Sequence, residues 1–258
     1  LSMGCICALG AVVISRGTDI TNSIEERHDF EISTFTNIDR DAGYASYDWD
    51  DNTPVITEEL RDRILAVDGV SEDKMGYTKG CFAMINMPSE TNGTEEGGDE
   101  ALLPRLKSVY GTTAVSFFAT LQIVDDAFVE ELREYVEEYG INADVDSLEN
   151  GTGTMLLHTH ELSKELQEDG DETIGMPLHF YSLSLFENKV DDKYLKGELS
   201  CAGYLDISKK HFPKLNMTTH GSGINYFIMT EKAFRSLNFK DKIFGIQIDV
   251  DRQKEPLI

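Results

Sequence analysis

The chain has 258 residues, with 47 acidic side chains against 23 basic ones and a formal net charge of −24. That length buries a real core as one large domain or two modest ones. That charge excludes a nucleic-acid binder, which needs clustered Lys and Arg to neutralise phosphate, and disfavours an anionic lipid surface.

Residues 1–14, LSMGCICALGAVVI, are apolar apart from Ser2, and the next fifteen turn charged through Arg16, Asp19, Glu25, Glu26, Arg27 and Asp29. A bilayer-spanning helix takes about 20 apolar residues. The run is therefore expected to be the outer end of a transmembrane helix, continued by a stalk to residue 28. A buried core helix, which suits a run of this length, is the alternative. A signal peptide would need a basic start, and lipid modification of Cys5 a large aliphatic residue before it; Ser2, Met3 and Gly4 supply neither. Cytoplasmic loops collect Lys and Arg, so a Glu/Asp-rich domain beside a span belongs on the extracellular face.

DFEISTF predicts the first strand, with Phe30 and Ile32 on one face. An acidic connection follows, 39–52, rich in Asp and aromatic residues. Thr57 caps an expected helix with Glu58 and Glu59 in its first turn and Leu60, Ile64 and Val67 as an apolar stripe. Tyr77 to Met87 reads as a strand, completing a strand-helix-strand unit. Residues 88–100, PSETNGTEEGGDE, have nothing to bury and predict a surface loop.

AVSFFATLQIV then predicts a buried strand. Asp125 or Asp126 caps the clearest helix, where Phe128, Leu132, Tyr135, Val136 and Tyr139 keep helical spacing and Gly140 is the stop. TMLLHTH is a strand entering a short helix, Glu161 to Gln167, closed by Glu168-Asp169-Gly170. Ile174 to Phe186 and Glu198 to Ile207 form a hairpin or meander. INYFIM, a Thr230-capped helix with Ala233, Phe234 and Leu237, and KIFGIQIDV with Ile246, Ile248 and Val250 on one face repeat the opening grammar. The fold class is α+β, with the middle of the chain inserted between two strand-helix-strand units.

This order resembles the extracytoplasmic, MacB-like periplasmic core domain of an FtsX-like ABC transporter permease of Gram-positive type. The phrases that carry the resemblance are LSMGCICALGAVVISRGTD running into HDFEIS, VDDAFVEELREYVEEYGI, ENGTGTMLLHTHELSKEL, ETIGMPLHF, GELSCAGYLDIS with its central Gly203, and YFIMTEKAF. Each phrase is loose alone; their order is the signal. The resemblance implies a split porter-like subdomain over 29–110 and 213–258, an inserted β-rich, sabre-like subdomain over 111–212, and the span end and stalk over 1–28. It further implies no catalysis and no cofactor, a membrane-anchored domain working with a separate ATPase subunit through the transmembrane part, and a role in mechanotransmission, export or peptide resistance. The acidic surface suggests a cationic peptide or another extracellular ligand, and the apolar leading segment a second copy of the chain.

His158, His160 and Glu161 are the most enzyme-like cluster. On a strand the two histidines face the same way and could reach one zinc, with Glu161 as ligand or base. This defines the alternative, an extracellular metal-dependent hydrolase, although no third ligand is identifiable and a zincin helix motif is absent. The 39–52 carboxylates could make a calcium-dependent binding module, without EF-hand spacing. Gly151, Gly153 and Thr154 lack the Lys-Ser/Thr of a phosphate loop and read as a turn. Asn92, Asn150 and Asn216 open formal glycosylation triplets. Four cysteines are no disulfide scaffold in a chain this long, and Cys81 pairs with Cys201 only if the fold brings their Cα atoms within about 7 Å.

Overall fold

The computed structural model of the protein describes residues 30–33, 56–87, 102–110, 116–158, 163–182, 192–207, 211–215 and 225–249. The expected span end and stalk, the acidic segments 39–52 and 88–100, His160, Glu161, Asn92 and Asn216 lie outside them. Among the described residues no helix is long and apolar enough to cross a membrane. The architecture is mixed α and β, and the chain divides into two compact units, one drawn from Leu1–Ile32, Glu58–Gly76 and Ile246–Ile258, the other from Ser33–Thr57 and Tyr77–Gly245.

The smaller unit holds all but the last residue of β1 (Phe30–Ser33), α1 (Glu58–Leu65), the start of β2 (Met75–Asn86) and the end of β8 (Lys242–Ile248), and in the strand order β8 stands between β1 and β2. The Asp249 N–H donates to the Lys74 carbonyl at 2.9 Å. As expected, α1 has Glu58 and Glu59 in its first turn, and Arg63 stands in its last. Its apolar stripe is not a core face: α1 buries none of its residues, and Val67 is 38% exposed. Leu60, Ile64 and Leu65 are only half-buried, because charged residues fill the other five positions of this eight-residue helix and leave it a narrow apolar edge.

In the larger unit six strands close on themselves. β2 pairs antiparallel with β3 (Ser116–Val124), β3 parallel with β7 (Asn225–Thr230), β7 antiparallel with β4 (Gly153–His158), and β4 parallel with β6 (Leu195–Asp206). β6 pairs antiparallel with β5 (Pro177–Tyr181), and β5 returns antiparallel to β2. Strands with both faces covered read as apolar runs instead of alternating, as NYFIMT does: Phe227 and Met229 enter one core, Tyr226 and Ile228 the other. The first core takes side chains from all six strands, among them Ile85, Leu121, Phe227, Leu156, Tyr204 and Phe180. The second is covered by α3 (Asp126–Tyr139) and α4 (Val145–Glu149).

Local signals set the helices. The Asp125 carboxylate accepts from the Phe128 N–H at 2.8 Å, and Gly140, at φ 62°, stops α3 with its N–H on the Val136 carbonyl. Phe128, Leu132, Tyr135 and Val136 are buried as their spacing requires, while Tyr139 remains 45% exposed. Thr230 caps α6 (Glu231–Ser236), seating Ala233 and Phe234, with Leu237 after it.

Two helices were not anticipated: α2 (Leu102–Val109) and α4. In α2 a proline stands third, within the first turn, where no intrahelical N–H is needed. α5 (Lys164–Asp171) corrects the expected helix Glu161 to Gln167. It is capped by Ser163 and runs through Gly170, the expected stop. The reason is space: a Cβ at Gly170 would lie 2.8 Å from the Tyr204 ring, so glycine lets the helix lie flat on β6. Gly203, at φ 149°, sits where the β4–β6 register slips between Thr154 and Met155, a bulge that bridges to Ala143.

Candidate functional site

The sequence-derived metal cluster is only partly within view. His158 ends β4 half-buried, in register with Asp206; its carbonyl accepts from the Ile207 N–H at 3.0 Å, and its ring lies 6.4 Å from that of Tyr204. Among the described residues no group of three or more His, Cys, Asp or Glu could hold a metal ion. Cys81 and Cys201 are not joined by a disulfide; they stand on β2 and β6, opposite Leu121 and Thr154. Gly151, at φ 72°, belongs to the turn before β4, as read from the sequence, whereas Gly153 and Thr154, read with it as a turn, are already the first residues of β4.

The polar chemistry that the larger unit concentrates lies instead between α2 and α5, and no sequence motif marked it. α2 presses Leu106 and Val109, with Tyr110 just after it, into the first core, each at most 2% exposed. At the edge of that face, one turn before Val109, stands Arg105. The Arg105 Nε donates to Asp169 Oδ1 at 2.6 Å, and Nη2 reaches both Asp169 and, at 3.2 Å, Glu172 Oε1. The Asp169 side chain is 8% exposed, Glu172 55%. Hydrogen bonds first to Asp169 and then to Glu172 raise the guanidinium above its already high value. A cation here also suits the negative end of the α5 dipole, beside which Asp169, Asp171 and Glu172 would otherwise stand uncompensated.

Beneath this clasp runs a hydroxyl relay. The Thr173 hydroxyl donates to the Gly170 carbonyl at 2.7 Å. Each hydroxyl owns one hydrogen, so Tyr204 must donate to Thr173 Oγ1 (2.5 Å) and Tyr110 to Tyr204 (2.8 Å). The order Tyr110, Tyr204, Thr173, Gly170 is thereby fixed. Burial holds both phenols well above their ordinary value of 10, and it raises the Cys201 thiol, whose sulfur lies 3.8 Å from Thr173 Oγ1. These groups stay protonated near neutrality. They order a core instead of activating a nucleophile. A second arginine, Arg133 on α3, holds α4 by donating to Asp146 (2.7 Å) and Glu149 (2.6 Å), both exposed.

No protein-family model matches this chain, and neither does any curated protein. Among solved structures it is similar to the extracellular domain of the noncanonic ABC-type transporter YknZ from Gram-positive bacteria, at 10% sequence identity and a TM-score of 0.31, over 88% of this chain and 86% of that one.

Proposed function

We propose that this chain is the extracellular domain of an FtsX-like ABC transporter permease, a non-catalytic part that couples ATP-driven motion of the membrane spans to an extracellular substrate or partner. The single observation that carries the reading is the order of the sequence phrases. VDDAFVEELREYVEEYGI is α3, the strand in ENGTGTMLLHTH is β4, ETIGMPLHF leads into β5, GELSCAGYLDIS forms most of β6 around Gly203, and YFIMTEKAF is β7 with α6. In this reading 29–110 with 213–258 form the split porter-like part and 111–212 the inserted part. The apolar leading segment and the chain following the last strand would be two adjacent connections into the bilayer, so rigid-body motion of the spans moves the domain. The ATPase is a separate subunit, and the acidic surface steers a cationic peptide by long-range attraction.

The test is membrane topology in the full gene product. A cysteine placed at the exposed Glu131 position should react with a membrane-impermeant maleimide on intact cells, above the background of the unmodified protein. Labelling that appears only after lysis overturns the extracellular assignment, and an open reading frame lacking apolar spans on both sides of this segment overturns the permease.

A further inference from the structure

The ring of six strands closes through a short seam. β2 meets β5 only at Met84↔Tyr181, Ile85↔Phe180 and Asn86↔His179 among the described residues, whereas its ladder with β3 runs unbroken from Gly80↔Gln122 to Asn86↔Ser116, and β3 meets β7 from Ala119↔Asn225 to Val124↔Thr230. The β7–β4 ladder is equally short, from Met155↔Ile228 to Leu157↔Tyr226, but Thr154 Oγ1 crosses it to the Ile228 carbonyl at 2.8 Å. Across the seam the corresponding side-chain bond is longer. Asn86 Nδ2 reaches the Tyr181 hydroxyl at 3.3 Å, beyond the usual range for a strong bond, and β5 is a five-residue strand that opens on Pro177, which has no N–H to give.

The chain places α2 on one bank of this seam and α5 on the other. α2 lies between β2 and β3, while α5 leads into β5. Arg105 with Asp169 and Glu172, and Tyr110 with Tyr204 and Thr173, therefore tie the two banks together from outside the ladder. We infer that the ring opens at the β2–β5 seam as a unit of its own, and that the α2–α5 clasp is the latch that holds it shut. Proteins open in cooperative pieces whose stability follows their local bonding, and of the two three-pair ladders among the described residues it is the one closing the ring that carries the polar tie. The tie is also one that solution conditions reach. Arg105 is 39% and Glu172 55% exposed, so salt weakens it, while the β3–β7 ladder, flanked by apolar cores, gives salt nothing to screen. Phe180 and Leu178, both wholly buried, keep the open form a minor state.

Hydrogen exchange of the full chain, followed by mass spectrometry through a series of sub-denaturing urea concentrations, tests this without reference to what the domain does. Amides of Leu178–Tyr181 and Met84–Asn86 should exchange about tenfold or more faster than those of β3 and β7, with a shallower urea dependence. Raising salt from about 0.1 to about 1 M should accelerate the seam alone, and Arg105→Gln should do the same. A disulfide between M84C and Y181C should slow seam exchange when oxidised and release it when reduced. Should Arg105→Gln fail to fold, the urea and salt responses of the unmodified chain decide by themselves. Seam amides that exchange in step with β3 and β7, at the same urea slope and indifferent to salt, overturn the inference.

Discussion

Two arginines in this molecule make the same gesture with different consequences. Arg105 and Arg133 each fork between two carboxylates spaced three residues apart on a neighbouring stretch of chain, Asp169 with Glu172 and Asp146 with Glu149. Around Arg133 both acids are exposed, 76% and 60%, so water competes for every bond. At Arg105 one acid, Asp169, is 8% exposed and is largely shut off from solvent. A surface pair adds little, whereas a buried carboxylate that loses its cation is heavily penalised. Geometry alone does not rank ion pairs; the burial of the weaker-solvated partner does.

Substitutions can break or sharpen that contrast, and the largest effects come from the apolar seats on either side. Leu106→Ala in α2 and Leu132→Ala in α3 each empty a wholly buried site and should each cost about 2–5 kcal/mol in urea denaturation. A cost below about 1 kcal/mol at Leu106 would mean that α2 is not seated as described, and the clasp would lose its base. Tyr204→Phe removes the middle of the relay and should cost about 1–3 kcal/mol, because a buried donor and acceptor lose their partner. The same phenols give a pH signature. Their folded values lie above the ordinary 10, so their contribution is full below about pH 10 and declines as pH rises past it, when only the unfolded chain ionises. Denaturation at pH 9 and 11 should show that fall, smaller in Tyr204→Phe.

The clasp comes next. Arg105→Gln should lower the melting temperature by more than Arg133→Gln at equal salt; an equal drop would erase the distinction drawn from Asp169. Asp144→Ala, which uncaps α4, should cost about 1 kcal/mol. The Asp144 carboxyl is held below its ordinary 3.8 first by the Ser147 hydroxyl and then by the Ser147 N–H. Its contribution is therefore full above about pH 4 and is lost as pH falls through its folded value, which an acid denaturation series on the variant would register. Smallest is Arg133→Gln itself, expected within about 1 kcal/mol by thermal or urea melts.

The same contrast separates what could be read from the chain from what could not. α3 was legible because cap, periodic apolar face and glycine stop all lie within 16 residues and agree. β7 with α6 was legible for the same reason, through Thr230, Ala233 and Phe234. α2 was not: an eight-residue helix with a proline in its first turn resembles a loop until the first core receives Leu106 and Val109. α5 misled because Gly170, a stop by its chemistry, is used for its lack of volume against Tyr204. The clasp and relay join residues 64 and 94 positions apart, and nothing local distinguishes Arg105 from the other basic residues. His158 was legible as a strand-end histidine but acquires meaning only from its parallel neighbour Asp206.

The one-way order of the relay reaches beyond stability. Because the Gly170 carbonyl accepts the last hydrogen bond, tilting that single peptide group would strip the Thr173 hydroxyl of its acceptor and free both phenols upstream to reverse their hydrogens like a row of falling tiles. A small twist at the end of α5 would thus be felt by α2, across the width of a strand, without any backbone between them moving.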